Sequence, residues 1–257
     1  MKKLLTLTAL AILIAFVGCE KEVSLETPDV SYTLADQGGT LALEWDEIAD
    51  ADGYYIYADG VKIDSVNTTS YNATTPAALY EVSAYAGDQE SGKDQIDCGA
   101  VETPSIIVYG SGDPAPDHPS GFGFTSSGSA TTYSISDQSN WPLIDYWIHS
   151  VSADEQEFAS PHQGGQNGFN DEVNTTKNSG LTDYDAAKIC DAPGGYTAPT
   201  TIVSNAVYYF WIDPDNDGWG SSNDHFGKIQ VVGVNGYAVT LKIAYQPIAG
   251  LRWCVVK

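Results

Sequence analysis

The sequence predicts an all-β protein: an N-terminal sandwich of short strands over residues 27–98, then a larger β-sandwich over 104–257 with one short helix inserted. Three observations carry this. Apolar and polar residues alternate with period two in short runs, Gly, Asp, Asn and Pro separate those runs, and sustained helical periodicity is nearly missing. Aromatic residues make up 11% of the 257 residues and recur through both halves, so each half has the material for a core.

The first element is a leader. Lys2 and Lys3 precede an apolar stretch from Leu4 to Val17, closed by Gly18 and Cys19, which is the charged start, apolar core and small-residue exit of an export signal. A membrane-spanning helix needs about 20 apolar residues, more than this stretch holds. Phe16-Val17-Gly18-Cys19 resembles the lipobox of bacterial lipoprotein signals, with Phe16 where that family usually has Leu. The resemblance implies a signal peptide over 1–18 and a mature chain beginning at Cys19. It also implies a diacylglyceryl group on the Cys19 thiol, a third acyl chain such as palmitate on its amine, and the lipid bilayer as partner. Several chains hold a protein on a membrane lastingly where one holds only marginally. Residues 19–26 then form a tether. Glu20 stands where Asp marks inner-membrane retention in some such lipoproteins, which leans toward the outer membrane; Glu20-Lys21-Glu22 resembles a surface-export signal. The competing reading is an ordinary secreted protein with a coincidental cysteine.

The chain carries 34 acidic and 11 basic residues, a net charge of -23; without the leader's two lysines, 34 acids face 9 bases, net -25. Such a field argues against nucleic acid and bare anionic membrane as partners and favours cations. Beyond Cys19 the cysteines are Cys98, Cys190 and Cys254. In an oxidising compartment two of them pair and one is left over; Cys190 with Cys254, both in the distal half, is the expected disulfide.

Within 27–98, Leu41, Leu43 and Trp45 alternate with Ala42 and Glu44 to give a half-buried strand. Tyr54, Ile56 and Ala58 alternate with Tyr55 and Tyr57, and Asp59-Gly60 then predicts a tight hairpin turn into a strand over 61–66. A further strand over 79–85 places Tyr80, Val82 and Ala84 on one side. Leu41 to Trp45, Gly53 to Gly60 and Leu79 to Gly87 together resemble a fibronectin type III domain. The resemblance implies a core role for Trp45 and a corner hydrogen bond for Tyr80. Such modules bind proteins, bind sugars or act as spacers, so fold alone does not choose among them.

Residues 99–103 read as a linker. Strands follow over 106–109, 122–125, 132–135 and 143–151, with a Gly, Pro and Asp-rich loop after the first. Residues 154–180 are polar and glycine-punctuated and read as a long surface loop or irregular region. Thr182 and Asp185 fit a capping box and predict a two-turn helix over 182–190. Strands resume over 201–212, 227–234, 237–244 and 251–256, with Asn235-Gly236 as a two-residue turn.

The strongest chemical signal lies at 213–224. Asp213, Asp215 and Asp217 occupy positions 1, 3 and 5 of a twelve-residue loop, Gly218 position 6, the Trp219 carbonyl position 7 and Asp224 position 12. Alternation by two brings carboxylates toward one centre, the glycine permits a sharp turn, and hard oxygen ligands select calcium. The ladder resembles the calcium loops of EF-hand and dockerin proteins. It departs from them in having Asp224 rather than Glu and a strand-like segment, 207–212, in place of a helix. Calcium is therefore the expected cofactor, ordering a strand-flanked loop. Like-charge repulsion among four carboxylates, with Lys228 alone nearby, favours a cation; solvent screening of an unmetallated acidic turn is the competing reading.

No catalytic residue stands out. His118, His149, His162 and His225 lack zinc-motif spacing, and carboxylates are so abundant that no acid pair is distinguished. Aromatics offer a better clue, with Tyr208, Tyr209, Phe210 and Trp211 just before the acidic loop and Trp219 within it. Trp219 and Tyr208 are the ligand-binding candidates, suited to a sugar ring if they face solvent; the alternative is that these rings fill both faces of a buried strand. The expected function is a noncatalytic, membrane-anchored extracytoplasmic lipoprotein that binds or adheres, its partner an extracellular glycan or envelope protein. A structural envelope lipoprotein and a secreted polysaccharide hydrolase are the alternatives.

Overall fold

The computed structural model describes residues 24–164, 168–219 and 223–257, so the leader and Cys19 lie outside the described residues. Among those described, no helix is long and apolar enough to cross a membrane. The fold is all-β, in two antiparallel sandwiches.

The first contains β1 (Ser31–Ala35), β2 (Thr40–Glu44), β3 (Gly53–Ala58), β4 (Val61–Val66), β5 (Ser70–Ala73), β6 (Leu79–Ala86) and β7 (Gln89–Asp97). Sheet β1-β2-β5 faces sheet β4-β3-β6-β7. Alternation sets the inner faces: Leu41, Leu43, Tyr54, Ile56, Tyr80, Val82 and Ala84 are buried in one cluster with Trp45. The Tyr80 hydroxyl donates to the Thr75 carbonyl at 2.7 Å, the corner contact expected of it. Asp59 and Gly60 both adopt positive φ, +49° and +77°, as a two-residue turn twisted to match its strands demands.

The second sandwich contains β8 (Val101–Tyr109), β9 (Gly121–Phe124), β10 (Ala130–Tyr133), β11 (Tyr146–Ser152), β12 (Glu155–Ala159), β13 (Thr175–Asn178), β14 (Thr200–Thr201), β15 (Val207–Ile212), β16 (His225–Asn235) and β17 (Ala238–Tyr245). Sheet β10-β9-β11-β12-β14 packs on sheet β13-β15-β16-β17-β8. Between them lie Phe122, Tyr146, Ile148, Phe158, Tyr208, Phe210, Ile229 and Leu241. The opposite face of β15 is covered as well: Val207 and Tyr209 are buried with Ala187, Cys190, Phe226 and Cys254. Both faces of β15 are thus occupied, which answers the two-sided aromatic pattern of that segment.

Four local expectations are corrected. Residues 154–180 hold β12 and β13, ordered by ladders to β11 and β15, with Phe158 the one large apolar side chain that β12 sends into the core. The helix expected over 182–190 is a turn. Asp183 accepts from the Asp185 amide at 3.0 Å, and the carbonyls of Tyr184 and Ala187 turn toward the buried Lys228 ammonium, 2.8 and 3.0 Å away, instead of along a helix axis. The hairpin after β16 turns on Gly236 and Tyr237, since Asn235 pairs with Ala238; Gly236 takes the positive φ. Residues 99–103 are no free linker, for β8 begins at Val101 and Ala100 bridges Val256.

The stretch 251–256, expected as a strand of the second sandwich, instead crosses to the first. Leu251 and Trp253 are fully buried in the first sandwich's core, and the Trp253 ring lies 5.7 Å from Tyr80. Trp253 donates through Nε1 to the Gly39 carbonyl at 3.0 Å, and the Arg252 amide donates to Gly38 at 3.0 Å. Gly38, at φ +74°, has the Gly250 carbonyl oxygen 1.8 Å from where a Cβ would stand, so only glycine permits this approach.

Candidate metal centre

β15 and β16 pair up to Ile212 opposite His225, so Asp213 and Asp224 are the first residues beyond the last rung of one hairpin. That register, fixed by the buried faces of both strands, brings positions 1 and 12 of the acidic loop together. Asp213 is 6% exposed and Asp224 fully buried. Asp215 turns back to join them, and one oxygen from each of the three carboxylates lies within 4.8 Å of the others. Two ligands on opposite sides of a calcium ion, at about 2.3–2.6 Å each, span a similar gap.

The loop's interior is organised around Asp213. One carboxylate oxygen, Oδ2, accepts from the Gly218 amide at 3.0 Å, a closure that uses positive φ at Asn216 (+55°) and Gly218 (+82°). The other, Oδ1, is buried and has no hydrogen-bond partner. A buried carboxylate oxygen left without a donor costs several kcal/mol unless something satisfies it. Asp213 makes no ion pair among the described residues. Lys228, the base nearest in sequence, is committed to Tyr184 and Ala187. The residues present therefore fit a hard cation, and Asp213, Asp215 and Asp224 are the groups that would hold it.

Asp217 is not one of the three. It is exposed, and its carboxyl is held above the usual range by local desolvation and by the charges of Asp215 and Asp213. Trp219 is half-buried, its ring 5.5 Å from Phe226 and 6.4 Å from Trp211, so it packs on the covered face of β15. Tyr208 is corrected as a ligand candidate. It is fully buried between the sheets, donates to the Thr201 carbonyl and accepts from the Val203 amide, both at 2.9 Å.

One residue here escaped the sequence reading. Asn174, fully buried at the end of the polar stretch before β13, accepts from the Asp213 amide through Oδ1 at 3.0 Å. Its Nδ2 donates to the Asp145 carbonyl and to Glu172 Oε2, each at 3.0 Å. Asn174 thus ties the acidic loop to a second acidic group. Asp145 accepts from the Phe124 amide at 2.7 Å. Burial pushes its carboxyl up to about 7, against that hydrogen bond and with help from Glu172, itself raised by burial. The two share a hydrogen bond that favours the protonated form of Asp145. Acid pairs for glycoside hydrolysis stand about 5 to 9.5 Å apart, and this contact pair leaves no such gap. No local signal marks Asn174, because its partners are remote in sequence.

No protein-family profile matches the chain, and no curated protein matches it. Among solved structures it is similar to a DUF4466 family protein from Parabacteroides merdae ATCC 43184, at 13% identity, over 86% of this chain and 99% of that one, with a TM-score of 0.39.

Proposed function

We propose that this chain is a lipid-anchored extracytoplasmic binding protein whose second sandwich takes calcium in the 213–224 loop. The observation that carries the metal reading is the buried, partnerless Oδ1 of Asp213, in a carboxylate that gathers with those of Asp215 and Asp224. Calcium suits the site better than magnesium because a loop closed at its ends by a hairpin and bent by glycine offers flexible oxygen ligation. The leader ending at Cys19 supports export and acylation, with the outer membrane as destination. The three-plus-four-strand arrangement, Trp45 in the core and the Tyr80 corner support a fibronectin type III reading of the first sandwich. Its partner is a glycan or an envelope protein.

A second reading, a noncatalytic structural envelope lipoprotein, draws on the inward packing of Tyr208, Tyr209 and Phe210. Calcium titration of the full chain, followed calorimetrically, is expected to give saturable binding that Asp213→Ala and Asp224→Ala each abolish. No heat at millimolar calcium overturns the metal reading. Glycan-array binding that depends on calcium separates the two functions, and an array without any bound glycan favours the structural one.

A further inference from the structure

We infer that Cys190 and Cys254 are joined by oxidation into a disulfide that clamps the C-terminal segment against the second sandwich while its neighbour Trp253 fills the first. The sulfurs lie 2.9 Å apart although the residues are 64 apart in sequence. Their approach is built into the backbone. Ile189 bridges Trp253, the Cys190 amide donates to the Arg252 carbonyl and the Cys254 amide to the Lys188 carbonyl, both at 2.8 Å. The Arg252 guanidinium adds a bond through Nη1 to the Cys190 carbonyl and through Nε to the Gln37 carbonyl of the first half. All three cysteines among the described residues are free thiols in the structure, and Cys98 is buried apart from the pair, in the other cluster with Tyr80.

The chemistry balances with a disulfide oxidant of the thiol-exchange class. One cysteine thiolate attacks the oxidant's disulfide and releases its first thiol. The second cysteine attacks the mixed disulfide, the Sγ–Sγ bond forms, and the oxidant leaves as dithiol, having taken two electrons and two protons. Both sulfurs are at most 1% exposed. Exchange therefore takes place while 248–257 is still undocked, and docking then shields the bond from reductant. The segment places Leu251 and Trp253 in the first sandwich's core and Cys254 in the layer on the second, so the cross-link makes the junction covalent. It rests on the extracytoplasmic reading only for where the oxidant is met.

The test uses the full chain, reduced and unfolded, then refolded with oxidised glutathione, alkylated and digested with trypsin without reduction. The expected product joins peptide 189–228 to peptide 253–257, with Cys98 recovered alkylated in 94–177. Adding reductant to the unfolded product and refolding should lower the melting temperature by roughly 10 °C, as for a cross-link closing a loop of this length. The Cys190→Ala, Cys254→Ala double variant should show no such response. A refolded chain with both cysteines recovered alkylated overturns the clamp. Thiol trapping in the producing cell forms a separate arm: a bond that forms in vitro yet is missing there overturns the extracytoplasmic reading and leaves the clamp standing.

Discussion

Glu90 in the first sandwich and Asp145 in the second are both carboxylates held on β-sheets, yet the protein stabilises them in opposite ways. Glu90 accepts from the hydroxyls of Tyr57 and Ser83, both at 2.6 Å. Its burial is outweighed by those donors and by Lys93 and Lys62, so its carboxyl sits below the usual range. Asp145 has one amide donor, an acidic neighbour and no base, so burial prevails and it keeps its proton to about pH 7. Asp213 accepts one backbone amide through Oδ2, and its buried Oδ1 has no hydrogen-bond partner. Donors and a proton are two answers to holding a carboxylate in a fold; a cation, as proposed for Asp213, would be a third, and it alone would make the fold depend on a metal.

The largest expected effect comes from the proton. A carboxyl raised in the folded state binds its proton more tightly there than when unfolded. Its contribution is therefore greatest at low pH and is lost as pH climbs from about 4 to about 7. A shift of that size corresponds to at most about 4 kcal/mol. Asp145→Asn keeps an acceptor for Phe124 and a donor for Glu172 without the charge. Denaturant melts in calcium-free buffer should show wild-type stability falling between pH 4.5 and 7.5 and the variant losing most of that slope. An unchanged slope would place the titration elsewhere.

Asp213→Asn should reverse sign with conditions. In chelator it removes a buried anion while keeping an acceptor for Gly218, and its melting temperature should equal or exceed wild type. With calcium at 100 times its dissociation constant, wild type should gain about 2.7 kcal/mol and the variant nothing. A variant that is less stable in chelator would mean that Asp213 is satisfied without a metal.

Asn174→Ala leaves the Asp213 amide without its acceptor and takes one of two side-chain donors from Glu172, at a cost of about 2 kcal/mol. Calcium affinity should fall with it, measured by the same titration. Asn174→Asp, which adds a third acid beside Asp145 and Glu172, should be worse at pH 8 than at pH 5.

Glu90→Gln should matter least, by under about 1 kcal/mol, because the site is exposed and solvent already screens it. Its pH dependence runs the other way from that of Asp145. A depressed carboxyl contributes stability above its unfolded pKa and loses it as pH falls through the folded one.

What could be read from the chain follows how local its cause is. The alternating strands around Leu41, Ile56 and Val82 were legible, as was the gathering of Asp213, Asp215 and Asp224 though not of Asp217, because spacing largely places their side chains. Strand β7, with its polar sequence Gln89–Asp97, was not, since its pairing with β6 supplies the order that its own pattern lacks. Thr182 and Asp185 gave a genuine local helix signal, and the Lys228 ammonium, more than forty residues away, overrode it by claiming the carbonyls. Asn174 and Trp253 were invisible for the same reason: each earns its place only against residues brought near by the finished fold.

The insertion of Leu251 and Trp253 sets an order on assembly. The strands of the first sandwich come first in the chain, but two side chains of its core, Leu251 and Trp253, follow the last strand of the second. Its core is therefore complete only once the segment beyond the second sandwich has docked into it. Deleting residues 250–254 should therefore unpack the first sandwich, whose strands lie at the far side of the sequence from the side chains that close it.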